Sequence, residues 1–193
     1  MKDLEETFGT LRSYNMKLNP SKCTFGVTTG KFLGFMVSQR GIEANPDKIR
    51  AIVEIPPPPP PPKNMKEVQS LNGKIAALNR FILRATDNCL PFFRMLKKSF
   101  EWTTKCQQAF EKLKTYLSSP PLLSPSQSKE ELFLYLAVSS ATINAALVKE
   151  EDKVQKPVHY ASRALRGAEE RYPPMEKLAF TLVTAVHKLK SYF

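Results

Sequence analysis

The pattern of apolar and polar positions early in the chain predicts a β-hairpin and two turns. Two short runs rich in aromatic and β-branched residues are expected to pair as strands, Cys23 to Val27 and Lys31 to Val37. Between them, Thr28-Thr29-Gly30 is expected to form the hairpin turn, with glycine at the position that needs a positive φ. A second turn is predicted at Gln39-Arg40-Gly41.

Helical spacing of apolar residues follows this hairpin. Asn45 and Pro46 provide an N-cap and a first-turn proline for a short helix. A longer helix is predicted over Lys66 to Arg84, and another begins at Thr104, which would form a capping box with Gln107. The apolar positions expected to face the core are Ile49, Ile52, Val53, Val68, Leu71, Ile75, Leu78, Ile82, Cys106, Ala109, Phe110, Leu113 and Leu117.

The last third of the chain predicts three strands followed by a helix. The strands are expected at Leu132 to Val138, Ile143 to Lys149 and Lys156 to Ser162, and the helix at Pro173 to Tyr192. Helical spacing in this last segment predicts a buried stripe made up of Met175, Leu178, Ala179, Leu182, Val186 and Leu189.

Two segments without either periodicity divide the chain. Pro56 to Pro62 cannot donate helical or ladder hydrogen bonds and favours an extended polyproline spacer, although a ligand for an aromatic-lined domain is the alternative. Ser124 to Glu131 is polar and predicts a second linker. The predicted units are therefore 1–55, 64–123 and 132–193, joined by linkers at 56–63 and 124–131.

Charge and cysteine content narrow the classes of partner. The 193 residues include 29 Lys and Arg against 18 Asp and Glu, a formal net charge of +11 that favours a polyanionic partner such as nucleic acid. Three widely spaced cysteines without a CxxC motif argue against zinc and for a reducing, intracellular compartment, cytoplasm or nucleus. No run approaches eighteen apolar residues and the first residues are charged, so neither a membrane partner nor a signal peptide is expected.

Four short motifs lie in order between Met16 and Lys48. They are Met16-Lys17-Leu18-Asn19-Pro20, Lys22-Cys23, Phe32-Leu33-Gly34-Phe35, and Gly41-Ile42-Glu43 with Asn45-Pro46-Asp47-Lys48. In this order they resemble the end of the palm of a reverse transcriptase from a gypsy-class LTR retrotransposon. In that family the Phe-Leu-Gly hairpin is the primer grip, which holds the 3′ end of the primer. The resemblance implies that the primer is contacted by Lys31, Phe32, Leu33, Gly34 and Phe35.

The segment KEVQSLNGKIAALNRFI, residues 66–82, resembles the first thumb helix of the same reverse transcriptases, which lies along the template-primer duplex. The resemblance implies phosphate contacts by Lys66, Lys74, Arg80 and Arg84. The alternative is an ordinary amphipathic helix with a solvated basic face. The single tryptophan, Trp102, could stack on a base, but its place beside Phe100 and ahead of an amphipathic helix favours a core position.

The last unit resembles the RNase H-like domain of these polyproteins. The resemblance is carried by Tyr160-Ala161-Ser162-Arg163-Ala164-Leu165, Glu169, Tyr172, Glu176-Lys177-Leu178-Ala179 and Tyr192-Phe193. In the family, a first-strand aspartate and further carboxylates hold two metal ions. Here Val138 stands at the aspartate position and cannot ligate a metal, and the acid that matches the second carboxylate, Glu176, is better explained as an acid at a helix N-terminus.

The sequence therefore predicts an α+β chain: the end of a reverse-transcriptase palm with a β-hairpin plus helix, a helical thumb, and a truncated RNase H-like βββα unit. The pattern Leu134-Tyr135-Leu136-Ala137-Val138-Ser139 resembles a plant lineage in which this last domain is degenerate and acts as a connection. The family's Tyr-X-Asp-Asp signature does not occur in the chain.

The resemblance implies two Mg²⁺ ions for the intact parent enzyme and none in this chain. We expect binding to a DNA or RNA primer-template duplex without catalysis, and other Pol segments as further partners. The alternative is a non-catalytic interaction module or a degenerate open reading frame whose basic faces bind nothing in particular.

Overall fold

The computed structural model of the chain describes residues 2–55, 65–95, 102–127 and 129–192. Its helices are α1 (Lys2–Ser13), α2 (Pro46–Val53), α3 (Met65–Ala76), α4 (Ala85–Met95), α5 (Thr104–Ser118) and α6 (Pro174–Lys188). Its strands are β1 (Thr29–Phe32), β2 (Phe35–Ser38), β3 (Gly41–Ala44), β4 (Leu132–Val138), β5 (Thr142–Glu151) and β6 (Val154–Ala164). Pro56 to Pro62, predicted as a spacer, lies outside the described residues.

Within the described ranges, the strands form two three-stranded antiparallel sheets, β1-β2-β3 and β4-β5-β6. Short 3₁₀ helices at Pro20–Lys22, Asn79–Phe81, Gly167–Arg171 and Lys190–Tyr192 connect or end the longer elements. Helices beside antiparallel sheets agree with the predicted α+β class.

The first hairpin turns at Leu33-Gly34, so the prediction of a turn at Thr28-Thr29-Gly30 is wrong. Leu33 and Gly34 have φ values of 47° and 80°, as a two-residue hairpin turn requires, and Phe32 pairs with Phe35 across it. The run from Lys31 to Val37 looked like one strand because aromatic residues flank the turn on both sides. Cys23 to Val27 lies outside the sheet.

The second turn and the cap of α2 are confirmed. Ser38 pairs with Gly41 across the turn. The Asn45 side chain accepts a hydrogen bond from the Asp47 backbone N–H at 2.9 Å, and Pro46 occupies the first turn of α2. This helix buries Ile52 completely.

The main core joins the first sheet to α2, α3, α4 and α5. Its largest fully buried side chains include Phe81, Phe92 and Phe110. Trp102 packs on Phe92 with ring centroids 5.8 Å apart, which confirms its predicted core position. The predicted inward face of α5 is also confirmed, since Cys106, Phe110, Leu113 and Leu117 are buried.

Helix boundaries differ from the prediction, and the last helix ends at Lys188 rather than at Tyr192. The helix predicted to run to Arg84 ends at Ala76, and the chain continues through a 3₁₀ turn before α4. Leu78 and Ile82 are nevertheless buried, because residues of a 3₁₀ turn can occupy the same inward spacing as a continued helix. The N-cap of α5 is Thr103, whose hydroxyl accepts from the Cys106 N–H at 3.4 Å, so the capping box at Thr104 is wrong.

The buried stripe predicted for α6 is wrong except at its end. Met175 is 75% exposed and Leu182 is 46% exposed, whereas Leu189 is fully buried. The face of α6 that packs on the β4-β5-β6 sheet is instead formed by Lys177, Thr181, Ala185 and Leu189. Apolar residues cover a wide arc of this helix, so spacing alone could not decide which side of the arc meets the sheet.

Candidate nucleic-acid interface

The tip of the first hairpin presents apolar side chains outward. Phe32 is 64% exposed and Leu33 is 79% exposed, at a turn whose positive φ angles suit Gly34. Phe35 points the other way, because its ring packs on Phe81 with centroids 5.7 Å apart. The predicted primer-contacting residues therefore divide into an exposed tip and an inward anchor.

The base of this hairpin is fixed to α2 by charge. The Lys31 Nζ atom lies 2.7 Å from the Asp47 carboxylate, and the Arg50 guanidinium also bonds to that carboxylate. These two hydrogen bonds, that of Lys31 first, hold the pKa of Asp47 below its ordinary value. One ionised acid thus holds two exposed cations at the N-terminal half of α2.

A third cation meets the other end of the same helix. Lys74 of α3 donates to the backbone carbonyl of Ala51 at 3.2 Å. The Ala51 carbonyl lies about one helical turn beyond Asp47 along α2. Lys31, Arg50 and Lys74, which we call the basic strip, are therefore held along α2 and come from the hairpin, α2 and α3.

The remaining predicted phosphate contacts have different surroundings. Lys66 is exposed on α3. Arg84 is exposed and its Nε donates to Asp87 at 3.0 Å. Arg80 is half-buried: it lies over the Phe35 ring and donates to the Tyr192 hydroxyl at 2.8 Å. For Arg80 and Arg84, contact with phosphate stays a prediction, and both already have partners within the chain.

His159 of β6 lies beside Arg80. Its ring packs edge-on against Tyr192, with centroids 5.9 Å apart, and its buried Nδ1 has no hydrogen-bond partner. Burial, and after it the positive charges of Arg80 and Lys188, lower the pKa of His159 from its ordinary value of 6.5 to about 4. In the sequence, the alternation of apolar and polar residues along β6 does not distinguish His159 from its neighbours.

The position that the resemblance gives to a metal site does not fit a magnesium pair. Val138 is the last residue of β4 and offers a hydrocarbon where an oxygen ligand is needed, and Glu176 is exposed in the first turn of α6. Its neighbour Lys177 is buried, with Nζ donating to the carbonyls of Ser140 at 3.2 Å and Glu170 at 2.9 Å. Over the described ranges, no three His, Cys, Asp or Glu side chains are grouped closely enough to hold a metal ion.

A polar cluster next to Val138 escaped sequence reasoning. Asp87, in the first turn of α4, accepts hydrogen bonds from Ser139, Thr142 and Asn144 of the second sheet. These residues are more than fifty positions from Asp87, so no local motif predicts the contact.

Among the described helices, none is both long enough and apolar enough to cross a membrane.

The last part of the chain resembles a known domain family. Residues 102–193 match the family described as an RNase H-like domain found in reverse transcriptase. The match begins at Trp102, so it includes α5 as well as β4 to α6. This part of the chain is therefore similar to the RNase H-like domains found in reverse transcriptases.

Comparison over the whole length identifies the polyproteins to which the chain is related. It is 32% identical over 194 aligned residues to the retrovirus-related Pol polyprotein from transposon 412 of Drosophila melanogaster, and 26% identical over 195 to the transposon Tf2-3 polyprotein of Schizosaccharomyces pombe. All of this chain is covered, but it spans only 15% and 14% of those polyproteins. The chain is thus related to a segment of transposon Pol polyproteins.

Solved structures of a foamy viral protease-reverse transcriptase share the fold. One is a complex with an RNA/DNA hybrid, with a TM-score of 0.76 and 23% identity, covering 97% of this chain and 25% of that one. Another is a complex with dsDNA, with a TM-score of 0.74 and 23% identity, covering 99% of this chain and 40% of that one. At this identity the likeness establishes the fold.

Proposed function

We propose that the chain is a primer-template binding segment of a retrotransposon reverse transcriptase, without catalysis of its own. The basic strip carries this proposal, because three cations from three elements are held along α2, and one of them, Lys31, adjoins the exposed tip of Phe32 and Leu33. Cations aligned in this way suit consecutive phosphates, and an exposed aromatic ring suits a base or sugar. The net charge of +11 and the shared fold of nucleic-acid-bound neighbours support it.

In this proposal, 1–55 is the end of a palm whose hairpin grips the primer, 64–123 is a thumb, and 132–193 is a degenerate RNase H-like connection. A gypsy-class, plant-type element is the proposed source, on the motifs described above. The lack of catalysis is supported by Val138 at the aspartate position and by a sequence without Tyr-X-Asp-Asp. The two Mg²⁺ ions then belong to the intact parent enzyme.

A reducing intracellular compartment is part of the same proposal. Cys89 is buried, and burial raises the pKa of its thiol to about 12. Such a thiol is poorly reactive toward disulfide exchange and metals, which agrees with a protein that does not depend on cysteine chemistry.

Removing the charges of the basic strip should weaken duplex binding and make the affinity depend less on salt. In the triple variant Lys31→Gln, Arg50→Gln and Lys74→Gln, we expect the slope of log affinity against log salt to become shallower by about 2 to 3, because each lost phosphate contact removes about 0.9. Fluorescence anisotropy with a labelled primer-template measures it.

A matched control removes three exposed cations from the second sheet region: Lys129→Gln, Lys153→Gln and Arg166→Gln. Its slope should change by less than about 1. Equal losses in the two variants would show that the strip has no special role. In the same reactions, Mg²⁺ and deoxynucleotides should give no primer extension, and magnesium-dependent extension would disprove the non-catalytic part of the proposal.

We further propose that other Pol segments cover α6. Its outward face is apolar, and such a face normally lies against protein. The exposed residues are Met175 (75%), Leu178 (37%), Leu182 (46%), Val183 (54%) and Val186 (46%). A Pol segment is the favoured occupant because the related polyproteins are several times longer than the part that this chain matches.

Placing charge on this face should prevent association while leaving the isolated chain stable. Leu182→Lys with Val186→Lys is expected to abolish co-purification with the Pol region that follows the matching segment in transposon 412, whereas Val154→Lys, at another exposed valine, should not. The melting temperature of the double variant should stay within about 2 °C of the native value. Unchanged co-purification of the double variant would refute this partner.

A further inference from the structure

We propose that Asp87 is a positioning residue: it fixes the helical part of the chain against the β4-β5-β6 sheet and so sets the angle between the two. The hydrogen-bonded group that it organises, which we call the polar joint, consists of Asp87, Ser139, Thr142, Asn144 and Ser162. The consequence for duplex binding rests on the proposed function, but the joint itself is independent of nucleic acid.

The first layer of the polar joint is the set of donors around the Asp87 carboxylate. One oxygen accepts from the hydroxyls of Ser139, at 3.3 Å, and Thr142. The other accepts from the Asn144 amide at 2.9 Å and from Arg84 Nε at 3.0 Å. The Asp87 side chain is only 19% exposed, so these bonds replace most of its hydration.

The second layer ties the backbone of α4 to the sheet. The Ser162 hydroxyl accepts a hydrogen bond from the Thr86 N–H at 2.9 Å and donates to the Asn144 side-chain oxygen at 2.7 Å. A residue of β6 thereby satisfies an N-terminal amide of α4, the task that an N-cap side chain usually performs. Thr142, Asn144 and Ser162 are 0%, 5% and 6% exposed, so this network is buried.

The turn after Val138 is held from both sides. Asp87 of α4 bonds to Ser139 and Thr142, while Lys177 of α6 donates to the Ser140 carbonyl at 3.2 Å. The place that the resemblance links to metal-binding carboxylates is therefore occupied by a structural junction between the helices and the sheet.

A second attachment explains why loss of the joint should change an angle. Arg80, in the 3₁₀ turn before α4, bonds to Tyr192 beyond α6. This bond and the packing of Tyr160 of β6 against the main core remain when the joint is lost, and we expect the two parts to shift about these contacts once α4 is no longer held. The polar joint thus fixes the orientation of the helical part relative to the β4-β5-β6 sheet. A duplex that contacts both parts requires such a fixed orientation.

The test exchanges donor and acceptor. Asn144→Asp places a second carboxylate opposite Asp87, and Asp87→Asn removes the charge that the donors surround. Combining the two changes restores one amide and one carboxylate in exchanged positions. We expect each single variant to lower the melting temperature by about 4 to 10 °C and the double variant to recover at least half of the loss.

Orientation is measured directly by the distance distribution between spin labels at Gln69→Cys and Lys153→Cys, in a Cys23→Ser background. The native chain and the double variant should give one narrow distance, whereas Asp87→Ala and Asn144→Asp should broaden it. Arg84→Gln, which removes only an exposed ion pair to the same carboxylate, should leave it narrow.

Unchanged distances in Asp87→Ala, or no recovery in the double variant, would overturn the proposal. These measurements contain no nucleic acid, so they remain informative if the chain fails to bind a duplex. If it does bind, Asp87→Ala should lower affinity for primer-template, and the double variant should restore it.

Discussion

Replacing Gly41 by alanine is expected to destabilise the chain by about 3 to 5 kcal/mol, the largest single effect that we predict. Gly41 opens β3 with φ at 140°, a conformation that L side chains rarely adopt. An added Cβ would also overlap the backbone carbonyl oxygen of Leu123 and lie 3.1 Å from its carbonyl carbon. Neither backbone can yield easily, because Ile42 and Leu123 exchange hydrogen bonds of 2.9 and 3.0 Å.

Urea unfolding measures this effect, with Gly73→Ala as the matched control. Gly73 lies within α3, and an added Cβ there would meet nothing within 4 Å. Alanine at that position should therefore stabilise the helix, by up to about 1 kcal/mol. If Gly41→Ala unfolds at the same urea concentration as the native chain, the close approach of β3 to Leu123 is wrong.

The second large effect is a loss of stability in acid that depends on His159. Its folded-state pKa is about 4, below the ordinary value of 6.5, so the unfolded chain takes up the proton first as the pH falls. The stabilisation is complete above about pH 6.5 and is lost as the pH falls toward about 4. Since the ring is only partly buried, we expect a loss of about 1 to 3 kcal/mol.

Urea unfolding at a series of pH values measures this loss, and His159→Gln should remove most of the slope between pH 6.5 and 4. His187→Gln removes an exposed histidine of α6 and serves as the control, in which the slope should persist. An acid slope that is the same in His159→Gln and in the native chain would show that another group is responsible.

The parts of the fold that the sequence predicted well are those where local chemistry and burial agree. Asn45 and Pro46 can begin a helix whatever the tertiary context, and the inward face of α5 follows from regular spacing. The strands of the second sheet were also located. β5 is three and β6 four residues longer than expected, in each case by two residues at the hairpin turn between them, because residues near a hairpin turn pair without an apolar pattern.

The errors fall where tertiary packing decides between alternatives that the local sequence does not distinguish. The first hairpin turn was placed too early because Phe32 and Phe35 look like neighbours in one strand. The exposed side of α6 was misassigned because the side that packs on the sheet contains Lys177, whose ammonium group bonds to two backbone carbonyls. A sequence pattern does not indicate that a lysine is buried.

In the candidate site too, residues in local motifs were predicted, whereas residues defined by contacts between distant elements were not. Motif resemblance named Phe32, Leu33, Lys31 and Lys74, which the structure places at the surface, and their contact with nucleic acid stays a prediction. It did not distinguish Arg80, whose guanidinium is used inside the chain, from cations that face outward. Arg50, which completes the basic strip, and Asp87, which organises the polar joint, depend on contacts between distant elements and were not predicted.

The most direct test of the central claim is the affinity of the native chain for a labelled primer-template measured at about 50 and about 200 mM salt. If the basic strip binds phosphates, affinity should fall steeply with salt. The slope of log affinity against log salt should be about −3 or steeper. Binding that does not change between the two salt concentrations, or no binding at either, would contradict a duplex-binding role for this segment.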